Sequence, residues 1–507
     1  MSQSSPLAGY LADAAATGKA PDAGFIAYLA SLQQIDAVTP EVARTIVSEL
    51  ADQRTNLKMI ASENFSSLAV QLAQGNLFTD KYAEGYPFHR FYAGCDNVDA
   101  VESMAASLAT DIFGAHHAYM QPHSGADANL IAYWAILSAR VQAPFMEAAG
   151  KTDPSALSDK EWAELRSSFG NQRLLGMNYY SGGHLTHGYR HTVSARMFEA
   201  QTYDVDRETS LLDYDRIRDQ AREFRPLILL AGYSAYPRHI NFRIFKEIAD
   251  EVGAVFMVDM AHFSGLVAGG VFTGDNDPVA HADVITSTTH KTLRGPRGGF
   301  VLCTEEFAEH VDKGCPLVMG GPLPHAIAAK AVAFKEAGTE AFKDYAHRIV
   351  DNASALAGYL ADEGMEVLTG GTDNHLMLVD VTPYGLTGRQ AESAMRDASI
   401  TLNRNSLPFD ANGPWYTSGL RIGTPALTTL GMGNDEMREI ATVARMVLSN
   451  TRARKITRGK SAGSVSKARF RTDETALNEA RSRVADLLGR FPVYPELDLE
   501  YLQRFFG

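Results

Sequence analysis

The chain has 507 residues, 45% of them apolar and 21% charged, enough for a sizeable core spread over two or three domains of an ordinary globular protein. Its formal net charge of −13 (47 basic against 60 acidic residues) argues against global attraction to nucleic acid or anionic membranes. Cys95, Cys303 and Cys315 show no metal-like spacing, no run of about 20 apolar residues suits a membrane span, and the N-terminus lacks the basic start and apolar core of a signal peptide, so a cytoplasmic protein with free thiols is expected.

The first ~35 residues are small and Ala-rich, a helical arm or loose extension. A helical pattern then runs from Ile46 to Phe65. Lys81-Tyr82-Ala83-Glu84-Gly85-Tyr86-Pro87 joins one carboxylate to two tyrosines. A glutamate beside aromatic rings can serve in proton transfer; as a lone motif this is more simply a surface turn. Ser124, Gly125 and Ala126 precede the helical run Leu130–Trp134. Small residues and a hydroxyl there suit a phosphate, and equally an ordinary Ser N-cap. Asp127 suits the helix dipole but should point away from a phosphate. Residues 143–170 read as a polar, helical insertion, with Asp153-Pro154 as turn and Ser158-Asp159 as cap. Ser181–Gly188 puts His184 and His187 in a glycine-rich loop; with no further ligands spaced nearby, no metal site is expected, and a flat imidazole suits stacking on an aromatic cofactor.

An α/β pattern follows over residues ~95–325. Leu227-Ile228-Leu229-Leu230 is a strand and Ser234–Pro237 a loop. Phe245, Ile248, Ala249 and Val252 repeat at helical spacing up to the stop signal Gly253. Val255–Val258 is a continuous apolar strand of the kind buried in parallel sheets, and Ala282–Thr286 also reads as a buried strand. A smaller second domain holds an Ala/Lys-rich helix, the strand Leu376–Val379, and Arg421 inside the strand-like Ser418–Pro425. Arginine's fork binds carboxylates bidentately, which suits an amino-acid substrate; the alternative is a structural ion pair. Residues 451–471 carry eight basic and no acidic residues, a solvated, mobile excursion or, more sharply, a patch for an anionic substrate tail or RNA. The divisions expected are an N-terminal arm and helical segment (1–94), a large α/β domain (95–330) and a small C-terminal domain (331–507).

Two residues give this pattern its chemistry. Asp259 ends the apolar run Ala254–Val258, where open α/β sheets place their ligands. Lys291 stands 32 residues later, in a polar loop rich in Gly and Arg, just past the next strand. A lysine for an imine and a carboxylate for a pyridine nitrogen are what pyridoxal phosphate chemistry needs.

The segment Thr288-Thr289-His290-Lys291-Thr292-Leu293-Arg294-Gly295-Pro296-Arg297-Gly298-Gly299, with other segments in order over residues ~35–450 and the ending Arg490–Pro495, resembles serine hydroxymethyltransferase. The resemblance implies a fold-type I pyridoxal-phosphate enzyme: a large, mostly parallel sheet flanked by helices, plus a smaller C-terminal α/β domain. It implies reversible transfer of the serine hydroxymethyl carbon to tetrahydrofolate, giving glycine and methylenetetrahydrofolate. Its catalytic set is Lys291, Glu84, His184, Asp259 and Thr288. Ser124, Gly125, Ala126 and His290 would hold the phosphate side, with Ser234 and His262 near the cofactor's 3′-oxygen. Tyr82 and the Gly320-Gly321 turn would come from a partner subunit of a homodimer, or of a tetramer. Ser62, Tyr92, Glu84, His262 and Arg421 would meet the amino acid; Tyr179, Gly183, Leu185, Asn405, Gly413 and Trp415 the folate. Departures from the family pattern fall at Asp127, Met319, Phe88, His89, Phe91, Tyr179, Gly413 and Trp415. They leave two rivals: a folate-independent aldolase of β-hydroxy amino acids, and a non-catalytic paralogue.

Overall fold

The computed structural model describes residues 5–459 and 462–507. The sheet at its centre has seven strands, in spatial order His117–Tyr119, Gly299–Cys303, Val284–Thr288, Val255–Asp259, Ile228–Gly232, Arg173–Met177 and Glu199–Tyr203. Only Gly299–Cys303 runs against the others. Its strands are apolar on both sides because both faces are covered: Phe256 and Val258 pack into one core, Val255 and Met257 into another. The parallel strands all end at one edge, and the loops leaving that edge carry the candidate site.

The second sheet is smaller and antiparallel, in the order Glu366–Val367, Leu376–Asp380, Gly419–Gly423, Asn403–Asn405. One 23-residue helix, Glu340–Asp362, serves both lobes. Phe342, Tyr345, Ala346 and Ile349 belong to the large-sheet core, while Ala353, Leu356, Ala357 and Leu360 belong to the core under the small sheet.

The N-terminal arm is helical, Pro6–Thr17 and Ala23–Asp36. Phe25, Leu29 and Leu32 pack on Tyr501 and Leu502 of the last helix. Arg54 clamps the chain's two ends together, donating to the carbonyls of Val493, Tyr494 and Leu497.

Three local expectations need correction. The helix expected from Ile46 to Phe65 stops at Thr55, and Leu57–Lys58 pairs in parallel with Ile400–Thr401. Leu57, Met59 and Ala61 are buried at every second position, a strand period hidden in an apolar run. The strand expected at Ala282–Thr286 lies two residues later. Where it is described, the basic stretch is a hairpin, Thr451–Lys455 with Val465–Thr472, rather than a loose excursion. Gln390 Nε2 ties it down through the carbonyls of Ser466 and Arg469. Its cations Arg452, Arg454, Lys455, Arg458, Lys467, Arg469 and Arg471 are exposed, while Lys460 lies outside the described residues.

The insertion at 143–170 is helical, as expected, with a Ser158–Glu161 capping box. Among the described residues, no helix is long and apolar enough to cross a membrane.

Candidate active site

The loops after Met177, Gly232, Asp259 and Thr288 meet the small sheet around a cavity of about 300 Å³. Ser62, Tyr179, Gly183, His184, Leu185, Ser234, His262, Lys291, Asn405 and Arg421 line it. Of the site residues expected from sequence, these ten converge in a single chain.

Lys291 reaches the cavity from a turn three residues past its strand. Burial lowers its amine to about 8, against the pull of the Asp259 carboxylate; Arg421 and Arg297 push the same way as burial. The Asp259 carboxylate accepts from Asn129 Nδ2 at 2.9 Å, His187 Nε2 at 3.1 Å and the Ala261 N–H at 3.0 Å. Burial alone would raise this carboxyl; the hydrogen bond and charge of His187 outweigh it and hold it below the usual range. His187 was hidden from a spacing argument, as was the convergence of His184, His187 and Asp259 within 4.8 Å. Asn129 was missed too. Its amide donates to both Asp259 and Thr186 Oγ1, and its oxygen accepts from Thr286 Oγ1 at 2.5 Å.

The same network orients His184. Nδ1 accepts from the Thr186 N–H, and Thr186 Oγ1 lies 2.7 Å away. Burial lowers this ring to about 4, so at neutral pH it is uncharged with its proton on Nε2. His262 stacks on His375, with Nδ1 and Nε2 3.2 Å apart. Burial keeps both neutral. His375 Nδ1 is buried without a partner. A bare lone pair there is cheaper than a buried orphan N–H, so His375 Nε2 donates to His262 Nδ1 and the proton of His262 sits on Nε2.

Arg421 crosses the small sheet opposite Asn403. Its Nε donates to Asn403 Oδ1 at 3.1 Å and its Nη1 to the Ser234 carbonyl at 2.6 Å. Among the described residues no carboxylate pairs with it, and burial lowers it to about 10. Of its five donors, two are used.

The stretch read as a phosphate site or an ordinary Ser N-cap is a capped helix start. Ser124 caps the helix Gly125–Leu137, its Oγ accepting from the Asp127 N–H. Thr288 is buried beside it, donating to the Ala261 carbonyl, and a Cβ on Gly125 would stand 2.7 Å from Thr288 Cγ2. Ala126 is exposed in the first turn. Among the described residues, the buried His290 Nδ1 finds no partner. Beneath the loop lies Lys330, which sequence reading overlooked: its Nζ donates to the carbonyls of Met120, Pro122 and Gly299.

Tyr82, Glu84, Tyr92, Gly320, Gly321, Gly413 and Trp415 are not among the residues lining this cavity. Tyr82, Glu84 and Tyr92 lie on the segment 81–92, and Gly321 packs so closely on the Tyr82 ring that a Cβ would come within 2.9 Å of it. Gly320 is joined to this segment through Cys315. Phe88 and Phe91 are 76% and 68% exposed, far more than isolated large apolar side chains need be. Gly413 and Trp415 form the short helix Gly413–Tyr416, with Trp415 packed against the guanidinium of Arg404, a cavity-lining residue.

A family model described as Serine hydroxymethyltransferase matches residues 35–148 and 168–444. The chain belongs to that family. A serine hydroxymethyltransferase of Treponema pallidum is 60% identical over 96% of this chain and 85% of its own length. One of Salinispora tropica is 57% identical over 93% of this chain and 98% of its own. A third, of Chlamydia trachomatis serovar D, is 52% identical over 94% and 95%. Enzymes of the family are fold-type I, use pyridoxal phosphate and take tetrahydrofolate as co-substrate. The gap in the family match, residues 149–167, falls inside the insertion read at 143–170.

Proposed function

We propose that this chain is a glycine hydroxymethyltransferase: it moves the hydroxymethyl carbon of serine to tetrahydrofolate, leaving glycine and 5,10-methylenetetrahydrofolate. The observation that carries the reading is the Arg421 guanidinium, half-buried, without a carboxylate partner among the described residues, and opening on the same cavity as the Lys291 amine. A buried cation left unpaired by its own chain is costly unless an anionic ligand completes it.

The residues fit pyridoxal phosphate. Ser124, Gly125, Ala126 and the orphan His290 Nδ1 suit its phosphate, Asp259 its pyridine nitrogen, Lys291 its carbonyl carbon and the neutral His184 ring its face. When bound, the cofactor supplies an electron sink for the charge left on the substrate α-carbon. Asp259, ionised, would keep a proton on the ring nitrogen. The unused N–H groups of Arg421, with Ser62, take the substrate carboxylate; Asn403 and the Ser234 carbonyl fix the fork. His262 offers an N–H from Nε2 to the 3′-oxygen. Tyr179, Gly183, Leu185, Asn405 and, at the rim, Gly413 and Trp415 form the folate side.

Glu84, Tyr82, Tyr92, Gly320 and Gly321 act in this scheme from a second subunit. That none of them lines the cavity of their own chain supports a homodimer with shared sites, as does the exposure of Phe88 and Phe91. Glu84 moves protons for the folate reaction. The three buried free cysteines support a reducing compartment such as the cytoplasm.

The deciding assay follows glycine formation from serine with and without tetrahydrofolate. Strong folate dependence is expected. Equal rates would replace this reading with the folate-independent aldolase, and no turnover with either would favour the non-catalytic paralogue.

A further inference from the structure

One buried guanidinium sets the shape of the segment that carries Glu84. Gly85-Tyr86 and His89-Arg90 pair as a minimal antiparallel hairpin. Gly85 has φ 102°, and a Cβ there would stand 2.2 Å from the His89 carbonyl, so the turn closes only on glycine. The Arg90 side chain, 4% exposed, folds back under it. Its Nη1 donates to the carbonyls of Ala83 and Gly85, 2.9 Å each, on either side of Glu84. Its Nε and Nη2 are held by Asp99 at 2.8 Å and Glu102 at 2.6 Å, both on the helix Asp96–Phe113.

The network does not end there. Glu102 Oε1 accepts from Gln121 Nε2 at 2.8 Å, and Gln121 Nε2 also donates to the Gly85 carbonyl. Gln121 opens the short loop that ends at Ser124. On the far side, the Gly85 N–H donates to Cys315 Sγ, and that thiol donates to the Gly320 carbonyl.

A buried ion cluster is poor evidence for stability, since apolar residues of equal volume often do as well. What this one achieves is geometry: its donors fall on the carbonyls of the residues just before and just after Glu84. We propose that Arg90 is a positioning residue for Glu84, and that Glu102 and Gln121 join the same constraint to the Ser124 loop of the same chain. The proposal rests on the reading that Glu84 serves the folate reaction. It means that the carboxylate a subunit lends to its partner is braced against that subunit's own phosphate cradle.

The test is a double-mutant cycle on the folate-dependent conversion of serine to glycine. Glu84→Gln should cost about 100-fold or more, as loss of a proton-transfer group does. Arg90→Lys should cost roughly 10- to 100-fold in kcat, the scale of a small misplacement, with little change in the KM for serine. Combined, the two should be no worse than Glu84→Gln alone within about twofold, because the second acts through the first. Losses that multiply would overturn the proposal while leaving the role of Glu84 intact. Full activity in Glu84→Gln would sink that role and the proposal with it. Should Arg90→Lys fail to fold, Arg90→Met with Glu102→Gln removes both charges and enters the same cycle. Hydrogen exchange in the cofactor-free protein gives a second readout. Exchange across residues 83–91 should quicken in Arg90→Lys while the central strands stay protected; unchanged exchange across 83–91 would overturn the proposal.

Discussion

The side-chain amide of Asn64 donates to the backbone carbonyl of Lys291 at 2.9 Å and to the Tyr345 hydroxyl at 2.6 Å. Its oxygen accepts from Thr429 Oγ1 and from the Phe65 N–H. Every hydrogen-bonding position of the amide is filled, and the Lys291 turn is thereby tied to both lobes. Asn64→Asp keeps the shape but turns an acceptor toward the Lys291 carbonyl. Losing that buried bond should weaken pyridoxal phosphate retention about 5- to 100-fold. Equilibrium dialysis of the cofactor checks this, and an unchanged Kd would refute it.

Lys291 should show its lowered pKa in the kinetics of cofactor uptake. Only the neutral amine attacks a carbonyl carbon, and the neutral fraction rises with pH through about 8. Uptake of pyridoxal phosphate by cofactor-free protein, followed by its visible absorbance, should therefore climb between pH 7 and 9 and then level off. A rate flat across that interval contradicts the assignment.

Arg421→Ala removes the fork but leaves the cofactor residues in place. Two charge-assisted hydrogen bonds lost should weaken serine binding by on the order of 100-fold or more. Cofactor affinity should change much less. Titration of the spectral change on adding serine measures the first, dialysis the second; equal losses in both would mean that Arg421 is structural.

Lys330 makes a prediction about stability rather than turnover. Burial lowers its amine to about 7, outweighing Glu102 and Asp127, whereas an unfolded chain has the ordinary value of 10.5. Between those values the folded state holds fewer protons than the unfolded one, so stability rises with pH across the window. Below pH 7 the folded lysine is charged, the form that donates to all three carbonyls, and this contribution is gone. The Tm of the wild type should rise more steeply between pH 7 and 9 than that of Lys330→Met. Parallel curves would rule this out.

The residues brought together at the cavity were legible where they stand next to strand ends. Asp259 and Lys291 both announce themselves after apolar runs, and Arg421 as a cation inside one. The partners that tune them were not. Asn129, His187, His375 and Asn64 are common residue types, brought in from positions 72 to 227 residues away from those they serve. Strand edges misled for a similar reason: the two-residue pairing of Leu57–Lys58 depends on a strand at Ile400 that no local window contains. The basic hairpin was misjudged because its cations say where water is, while Gln390 says where the backbone is held.

The helix Glu340–Asp362 has a mechanical consequence. Its first half is bedded in one core and its second half in the other, so it acts as a common beam between the lobe that carries Lys291 and the lobe that carries Arg421. Hinging the lobes apart would mean bending that beam near Ile349–Ala353, where neither glycine nor proline offers a weak point. The span between amine and guanidinium is accordingly a stiff gauge, fixed by the packing of both cores before any ligand enters the cavity.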